Sequence, residues 1–346
     1  MEINKIFQIA LEREASDIHL LKGEKPYLRM DGELVNLSEL DVVENKFIEN
    51  FVFSTIEKDQ KKLLEEKRGL DFAYQTKDGA RFRVHVHFER GNIALAARVI
   101  PLRIPSMEDL ELPWVLKDMT RLKAGLVLIT GSTGSGKSTT LASMIQMINK
   151  KYRSNIITLE DPIEFVYENE KSLIRQRELG SDIPNFAEGL RQALRSDPNV
   201  ILVGELRDLE TISVAMTVAE TGHLVLGTLH TYSAAQTVDR IIDVFPPHQQ
   251  TQVRLQLSMV LKGVVSQKLL PKIGGGRKMF AEVLLNTPAV GNLIRENKVA
   301  QINHIIQTND KIGMNTMDQA LQRAFEQEVI SRETALSHME DPYLLF

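Results

Sequence analysis

The chain has 346 residues, long for a single hydrophobic core, so two domains are expected. Its 43% apolar and 25% charged residues fit a soluble globular protein, and a formal net charge of -4 does not point to a nucleic-acid backbone as partner. The absence of cysteine excludes disulfides, thiolate catalysis and thiolate-ligated zinc. Early charges at Glu2, Lys5, Glu12, Arg13 and Glu14 argue against a secretory signal. No apolar run approaches the roughly 20 residues that span a bilayer, so membrane association is expected to be peripheral at most.

In chain order, Ile3, Ile6, Phe7, Ala10 and Leu11 fall on one face of an amphipathic helix. Asp31-Gly32 stands between "YLRM" and "ELVNL", and Asp78-Gly79 precedes "ARFRVHVHF"; both read as hairpin turns. In the latter strand Phe82, Val84, Val86 and Phe88 alternate with Arg81, Arg83, His85 and His87. If Gly91-Asn92 turns the chain tightly, "IALAARVI" pairs back and Arg98 lies opposite His85, on the arginine face. Residues 1 to 100 therefore read as a small α/β domain rich in antiparallel strands. Pro101, Pro105 and Pro113 mark an interdomain linker over 101–115.

From residue 116 the pattern changes. "LVLIT" (126–130), "NIITLE" (155–160), "VILVGE" (200–205) and "HLVLGTLH" (223–230) are short apolar runs separated by helical patterns, as in a buried parallel sheet. After residue 250 the periodicity is helical, with a "GGG" loop at 274–276.

The stretch "GSTGSGKSTT" (131–140) contains Gly131, four further residues, then Gly136-Lys137-Ser138. It follows an apolar strand and opens a helical pattern, the context a phosphate-binding P-loop needs. Backbone N–H groups of Ser132, Thr133, Gly134, Ser135, Gly136 and Thr139 can turn on the phosphates of ATP at a helix N-terminus. Lys137 can reach the β and γ oxygens, and the Ser138 hydroxyl can ligate Mg2+. Glu205, closing "VILVGE", stands where a metal-side acid belongs and would hold Mg2+ through water. "LEDPIEF" offers Glu160, Asp161 and Glu164 to orient and deprotonate a water; spacing alone does not choose among them. His223 and His230 are seven apart, on opposite faces of a regular strand, which argues against a shared metal. His230 at the strand end could sense the γ-phosphate. His85 and His87 share a face without further ligands nearby. Arg81, Arg83 and Arg98 on one sheet face repel one another unless an anion is present, and this face is expected to meet the triphosphate of a neighbouring subunit.

The ordered segments "SDIHL" (16–20), "RFRV" (81–84), "GSTGSGKST" (131–139), "EDPIEF" (160–165), "QALRSDPNVILVGELRD" (192–208), "ETGHLVLGTLHT" (220–231), "SQKLLP" (266–271) and "NLIREN" (292–297) together resemble the secretion ATPase superfamily. The likeness is greatest to its type IV pilus retraction ATPases, and it covers nearly the whole chain. It implies a PAS-like N-terminal domain, a RecA-like ATPase domain with C-terminal helices, and a homohexameric ring at the cytoplasmic face of the inner membrane. Such a ring hydrolyses ATP, drives an inner-membrane platform protein, withdraws pilin indirectly, and binds no nucleic acid. By the same resemblance Glu164 matches the catalytic glutamate and Glu205 the atypical Walker B acid. His223 and His230 match the His box, and Arg83 and Arg98 the arginines that reach a nucleotide held by the next domain. One segment departs from the family: where members often carry "AIRNLIRE", residues 289–296 read "AVGNLIRE", with Gly291 replacing an arginine. A glycine inside a helix costs about 1 kcal/mol relative to alanine.

Two other readings use the same loop. Pilus assembly and type II secretion ATPases usually carry an extra N-terminal domain and commonly a four-cysteine zinc site, and this chain begins at the small domain without cysteine. A DNA-translocating RecA-like protein would need basic or aromatic pore loops.

Overall fold

The computed structural model describes residues 3–30, 32–100 and 103–345. The chain divides into two compact units, Met1–Arg103 and Ile104–Phe346. Residues 104–115 thus go with the second unit, where Met107 and Val115 are buried in its core.

In the first unit a helix α1 (Ile3–Glu12) precedes strands β1 (Asp17–Leu20), β2 (Tyr27–Met30) and β3 (Glu33–Asn36). Helices α2 (Asn45–Thr55) and α3 (Lys58–Lys67) lead to β4 (Gly69–Gln75), β5 (Arg81–Glu89) and β6 (Asn92–Ile100). The six strands order as β3-β2-β1-β6-β5-β4, every pairing antiparallel. The amphipathic stripe of α1 buries Ile6, Phe7 and Ala10, and Phe7 stacks on Phe82 of β5 with ring centroids 4.4 Å apart. Met30 pairs with Glu33 across the first hairpin; of its expected turn residues, Gly32 has φ +90° and Asp31 lies outside the described residues, as does Pro101. The second hairpin turns through three residues, 77–79, rather than through Asp78-Gly79 alone, because Thr76 and Ala80 already bond across it.

The register of β5 and β6 differs from expectation. Glu89 pairs with Asn92, so Arg90 (φ 49°) and Gly91 (φ 78°) make the turn, not Gly91-Asn92. Moving the turn by one position moves the pairing by two, and Arg98 lies opposite Arg83 while His85 faces Ala96. A shift of two keeps parity, so Arg98 stays on the arginine face.

The second unit opens with α4 (Trp114–Met119), β7 (Gly125–Thr130), α5 (Lys137–Lys151), β8 (Asn155–Glu160), β9 (Leu173–Glu178) and α6 (Phe186–Ala193). It continues with β10 (Val200–Val203), α7 (Leu209–Glu220), β11 (Leu224–Leu229), α8 (Ala234–Asp243), α9 (Pro247–Val260), β12 (Leu261–Pro271) and β13 (Arg277–Leu285). Four helices follow: α10 (Pro288–Arg295), α11 (Ile302–Thr308), α12 (Met317–Glu326) and α13 (Arg332–Leu336). The sheet order is β13-β12-β7-β11-β10-β8-β9, parallel except for the β12–β13 hairpin. Alternate residues of one strand enter different cores: Leu126 and Leu128 of β7 pack on one side, Val127 and Ile129 on the other. Burial on both faces is why these strands read as continuous apolar runs.

Two strands escape the sequence pattern. β12 and β13 occupy 261–285, where helical periodicity was expected, turning through the glycines at 274–276. Leu261, Val264, Val265 and Leu270 give helix-like spacing because β12, wedged between β7 and β13, buries side chains on both faces. β9, "LIRQRE", is a mostly polar edge strand and carries no apolar signal.

In α10, Gly291 is buried, and a Cβ there would lie 3.4 Å from the Ser258 carbonyl oxygen and 3.5 Å from Asn286 Oδ1, ordinary contact distances. Its backbone is helical, so we expect Gly291→Ala to raise stability by about 0.5–1 kcal/mol. A thermal or urea melt checks this, and a loss of stability would mean that the α9–α10 contact does not accept the added methyl group.

Candidate nucleotide and catalytic site

β7 delivers the chain into a loop whose glycines 131, 134 and 136 have φ of +140°, +80° and +88°. A side chain at Gly131 would put its Cβ 2.4 Å from the Gln267 carbonyl oxygen, so only glycine fits. Gly136 caps α5, whose N-terminus offers unpaired N–H groups and the positive end of its dipole. Ser132, Thr133, Gly134 and Ser138 are exposed, Thr139 and Lys137 are half-buried, and Ser135 is buried. Lys137 Nζ donates to the carbonyls of Gly131 (2.8 Å) and Ser132 (2.9 Å). Burial holds the Lys137 ammonium below its ordinary pKa, against the pull of Glu205 and Glu164, so both carboxylates act on it. β12 braces the loop from behind: Gln267 Nε2 donates to the Ser135 carbonyl at 2.7 Å, and Thr130 Oγ1 to Ser266 Oγ at 2.8 Å.

The neighbouring parallel strands end at the same edge. β11 runs beside β7 with Leu229 opposite Thr130, and His230 follows. β10 lies next to β11, and Glu205 leaves its end. Leu206 N donates to the Thr228 carbonyl at 2.9 Å, and Thr228 Oγ1 donates to the Gly204 carbonyl, which ties the Glu205 segment to the strand carrying His230. Glu205 Oε1 accepts from Arg207 Nε at 2.6 Å and lies 3.3 Å from His230 Nε2. Burial pushes the Glu205 carboxyl up, but Arg207 and His230 together hold it below the ordinary value.

β8 brings the three acids. Glu160 Oε1 accepts from Thr158 Oγ1 at 2.6 Å and Gln176 Nε2 at 3.2 Å, and the enclosure of its carboxyl raises its pKa. Asp161 is exposed and Glu164 half-buried. The loop carrying Glu164 is held by β9: Glu178 Oε2 accepts from Ile163 N at 3.0 Å, and Gln176 Nε2 donates to the Phe165 carbonyl at 2.7 Å. Arg207, Gln176, Glu178 and Gln267 are therefore parts of the site that motif reading missed. Gln176 and Glu178 sit in a strand with no apolar pattern, and Gln267 lies 136 residues after Gly131, the glycine its carbonyl crowds.

His223 is not brought to the loop. It precedes β11, its carbonyl accepts from Gly125 N at 3.0 Å at the start of β7, and its Nδ1 lies 3.1 Å from the Val218 carbonyl. The length of β11, about 20 Å at ~3.3 Å per residue, separates it from His230.

In the first unit Arg83 and Arg98 face each other across the β5–β6 ladder. The expected mutual repulsion is met within the sheet. Arg98 Nε lies 2.9 Å from Asp17 Oδ1, and Arg83 Nε lies 3.8 Å from Asp71 Oδ1, whose other oxygen is 3.2 Å from His85 Nδ1. Asp17 stands opposite Arg98 on β1, and Asp71 opposite His85 on β4.

A glycine loop on a helix N-terminus, with acids and a histidine delivered beside it by parallel strands, makes the second unit a P-loop ATPase. The Type II/IV secretion system protein family matches residues 1–336, and the chain belongs to that family. The chain is 45% identical to the type IV pilus retraction ATPase PilT of Pseudomonas aeruginosa, over 99% of each. It is 48% identical to a twitching motility protein of Neisseria gonorrhoeae, over 90% of this chain and 83% of that one. The crystal structure of the pilus retraction motor PilT with bound ADP superposes with a TM-score of 0.92 at 45% identity, covering 99% of this chain and 98% of that one. A small N-terminal domain followed by a RecA-like ATPase domain is thus the architecture, and nucleotide binding goes with it.

Because the Glu160 carboxyl has a raised pKa in the fold, folding favours its protonated form. The native state binds more protons than the unfolded chain in that range, so this group's contribution to stability falls as pH rises above the ordinary 4.5. Gln at this position can keep both hydrogen bonds to Oε1 without titrating. We expect Glu160→Gln to fold, to gain stability relative to the unmodified chain as pH rises from 5 toward 8, and to flatten that dependence in melts. A steeper loss at high pH would contradict the assignment.

Proposed function

We propose that this chain is the ATP-hydrolysing motor that powers type IV pilus retraction. The full-length match to PilT carries the reading, with the site geometry in support. Residues 1–100 serve as the PAS-like domain and 116–346 as the ATPase domain with its C-terminal helices; of the 101–115 expected as linker, 104–115 belong to the same compact unit as the ATPase domain. The phosphates lie on the loop formed by Ser132, Thr133, Gly134, Ser135, Gly136, Lys137, Ser138 and Thr139.

Ser138 and Glu205 offer oxygen donors at the phosphate end of the loop, which suits Mg2+. Among the described residues no cluster of three or more His, Asp or Glu could hold a metal unaided, so Mg2+ would need phosphate oxygens to complete its shell. Bound there, Mg2+ would neutralise charge on the β- and γ-phosphates. Glu164 is the general base: it is half-buried and acts on Lys137, whereas Glu160 is enclosed and engaged by Thr158 and Gln176. His230, beside Glu205, senses the γ-phosphate. His223, at the far edge of the sheet, does not touch the nucleotide held by its own loop.

Arg83 and Arg98 reach a nucleotide held by the next subunit of a homohexamer, exchanging Asp71 and Asp17 for phosphate. The ring works on an inner-membrane platform protein from the cytoplasmic side and moves pilin indirectly. Among the described residues no helix is long and apolar enough to cross a membrane.

We expect Glu164→Gln to keep nucleotide affinity and to lower turnover about 10²–10⁴-fold, the usual worth of a general base. In cells, replacing the gene with this variant or deleting it should leave an excess of surface pili that no longer shorten. Bald cells would point to an assembly motor instead. Arg98→Ala subunits should bind ATP without turnover and regain activity when mixed with Lys137→Ala subunits, since each type then supplies what the other lacks. Mixtures that stay inactive while forming stable rings would count against supply in trans.

A further inference from the structure

Arg207 stands two residues past Glu205 and has no part in the hydrolysis scheme above. Its guanidinium is the closest cation to the Glu205 carboxylate, at 2.6 Å, with His230 on the same oxygen at 3.3 Å. The two partners differ in burial: the Arg207 side chain is 72% exposed and that of Glu205 only 18%. Arg207 also feels Asp161, which leaves the end of β8. The guanidinium is therefore paired with Glu205 and lies in the field of Asp161, at the edge of the sheet where the P-loop opens.

Glu205 is the acid read here as the metal-side ligand, and the argument rests on that reading. A carboxylate oxygen already taken by a guanidinium and an imidazole is a poor ligand for a metal cation. One of them must leave, and the exposed guanidinium is the less costly to release: an exposed ion pair is worth little and its donors can be rehydrated. Once released, its planar fork of donors suits a phosphate at two oxygens.

We propose that Arg207 is a nucleotide-sensing arm that competes with the divalent cation for Glu205 and, when Glu205 engages that cation, hands its guanidinium to the terminal phosphate of the bound nucleotide. The arm makes the site respond to magnesium and triphosphate together: magnesium with ADP releases Arg207 without giving it a new partner, whereas ATP supplies one. Arg207 thus contributes to the preference for ATP over ADP.

The test is nucleotide binding rather than turnover. Fluorescent ADP and a non-hydrolysable β,γ-imido ATP are titrated onto the purified full chain over a range of Mg2+ concentrations. The chains compared are the unmodified protein, Arg207→Gln and Arg207→Lys, each checked for an unchanged melting temperature. With the competitor removed, Arg207→Gln should lower the Mg2+ concentration that half-saturates ADP binding by about fivefold. At saturating Mg2+ it should reduce the imido-ATP to ADP affinity ratio by about tenfold. Arg207→Lys keeps the charge but not the fork, so it should restore the Mg2+ dependence and not the ratio. Mg2+ half-saturation and affinity ratio both equal to the unmodified chain's would make the ion pair idle and overturn the proposal. A lowered half-saturation with an unchanged ratio would overturn the handover to phosphate. If the unmodified chain bound neither nucleotide, the ATPase reading would fail and this proposal with it.

Discussion

All of the second unit's chemistry depends on β7, β11, β10 and β8 running parallel and in register, buried on both faces. Parallel strands emit their following loops at one edge, so the P-loop, His230, Glu205 and the 160–168 loop converge without long connections. The same rule explains His223. It lies seven residues before His230 in a run that reads as one motif, but a strand of six residues stands between them, and a strand end cannot be at both edges. Pairing by sequence proximity fails there for a geometric reason.

The P-loop's conformation is held by β12 as well as by its own glycines. The Gln267 carbonyl leaves no room for a side chain at Gly131, and the Gln267 amide holds the Ser135 carbonyl, so one residue fixes both ends of the turn. The loop carrying Glu164 is held in the same way by Gln176 and Glu178 of β9. Both braces use polar residues, one on β12 beside the β13 edge and the others on the opposite edge strand β9. They divide the acids into a fixed one, Glu160, which shares Gln176 with the loop, and a half-buried one, Glu164, which acts on the lysine.

What the sequence discloses follows from which side chains see two environments. The alternation of Phe82, Val84 and Val86 with Arg83, His85 and His87 is legible because one face of that sheet is packed and the other is not. The apolar runs of β7, β8, β10 and β11 are legible because both faces are packed. β12 fails because, in a strand buried almost throughout, its buried apolar residues Leu261, Val264, Val265 and Leu270 alone fall at helix-like intervals, and β9 because an edge strand needs no apolar residues. The exact pairing of β5 with β6 hung on whether Arg90-Gly91 or Gly91-Asn92 made the turn, a choice composition does not decide. Parity decided what mattered, since a shift of two leaves every side chain on its face. Asp17 and Asp71 were missed as partners of the arginines because cross-strand neighbours from distant segments leave no local pattern.

Gly291 shows how a departure from a family pattern can be absorbed. Residue 291 lies on the side of α10 that packs on the end of α9, where the Ser258 carbonyl already accepts from Asn286 Nδ2 at 2.8 Å. Arg295, one turn on, fills the adjoining space: its guanidinium lies 3.6 Å from where a Gly291 Cβ would be and 3.4 Å from Ser258 Oγ. An arginine at 291 would set a second guanidinium beside the first, and like charges one helical turn apart repel. In this chain the Arg295 guanidinium serves that corner. The charge absent at 291 is therefore local to the α9–α10 contact, far along the chain from the loop and strand ends that carry the nucleotide chemistry.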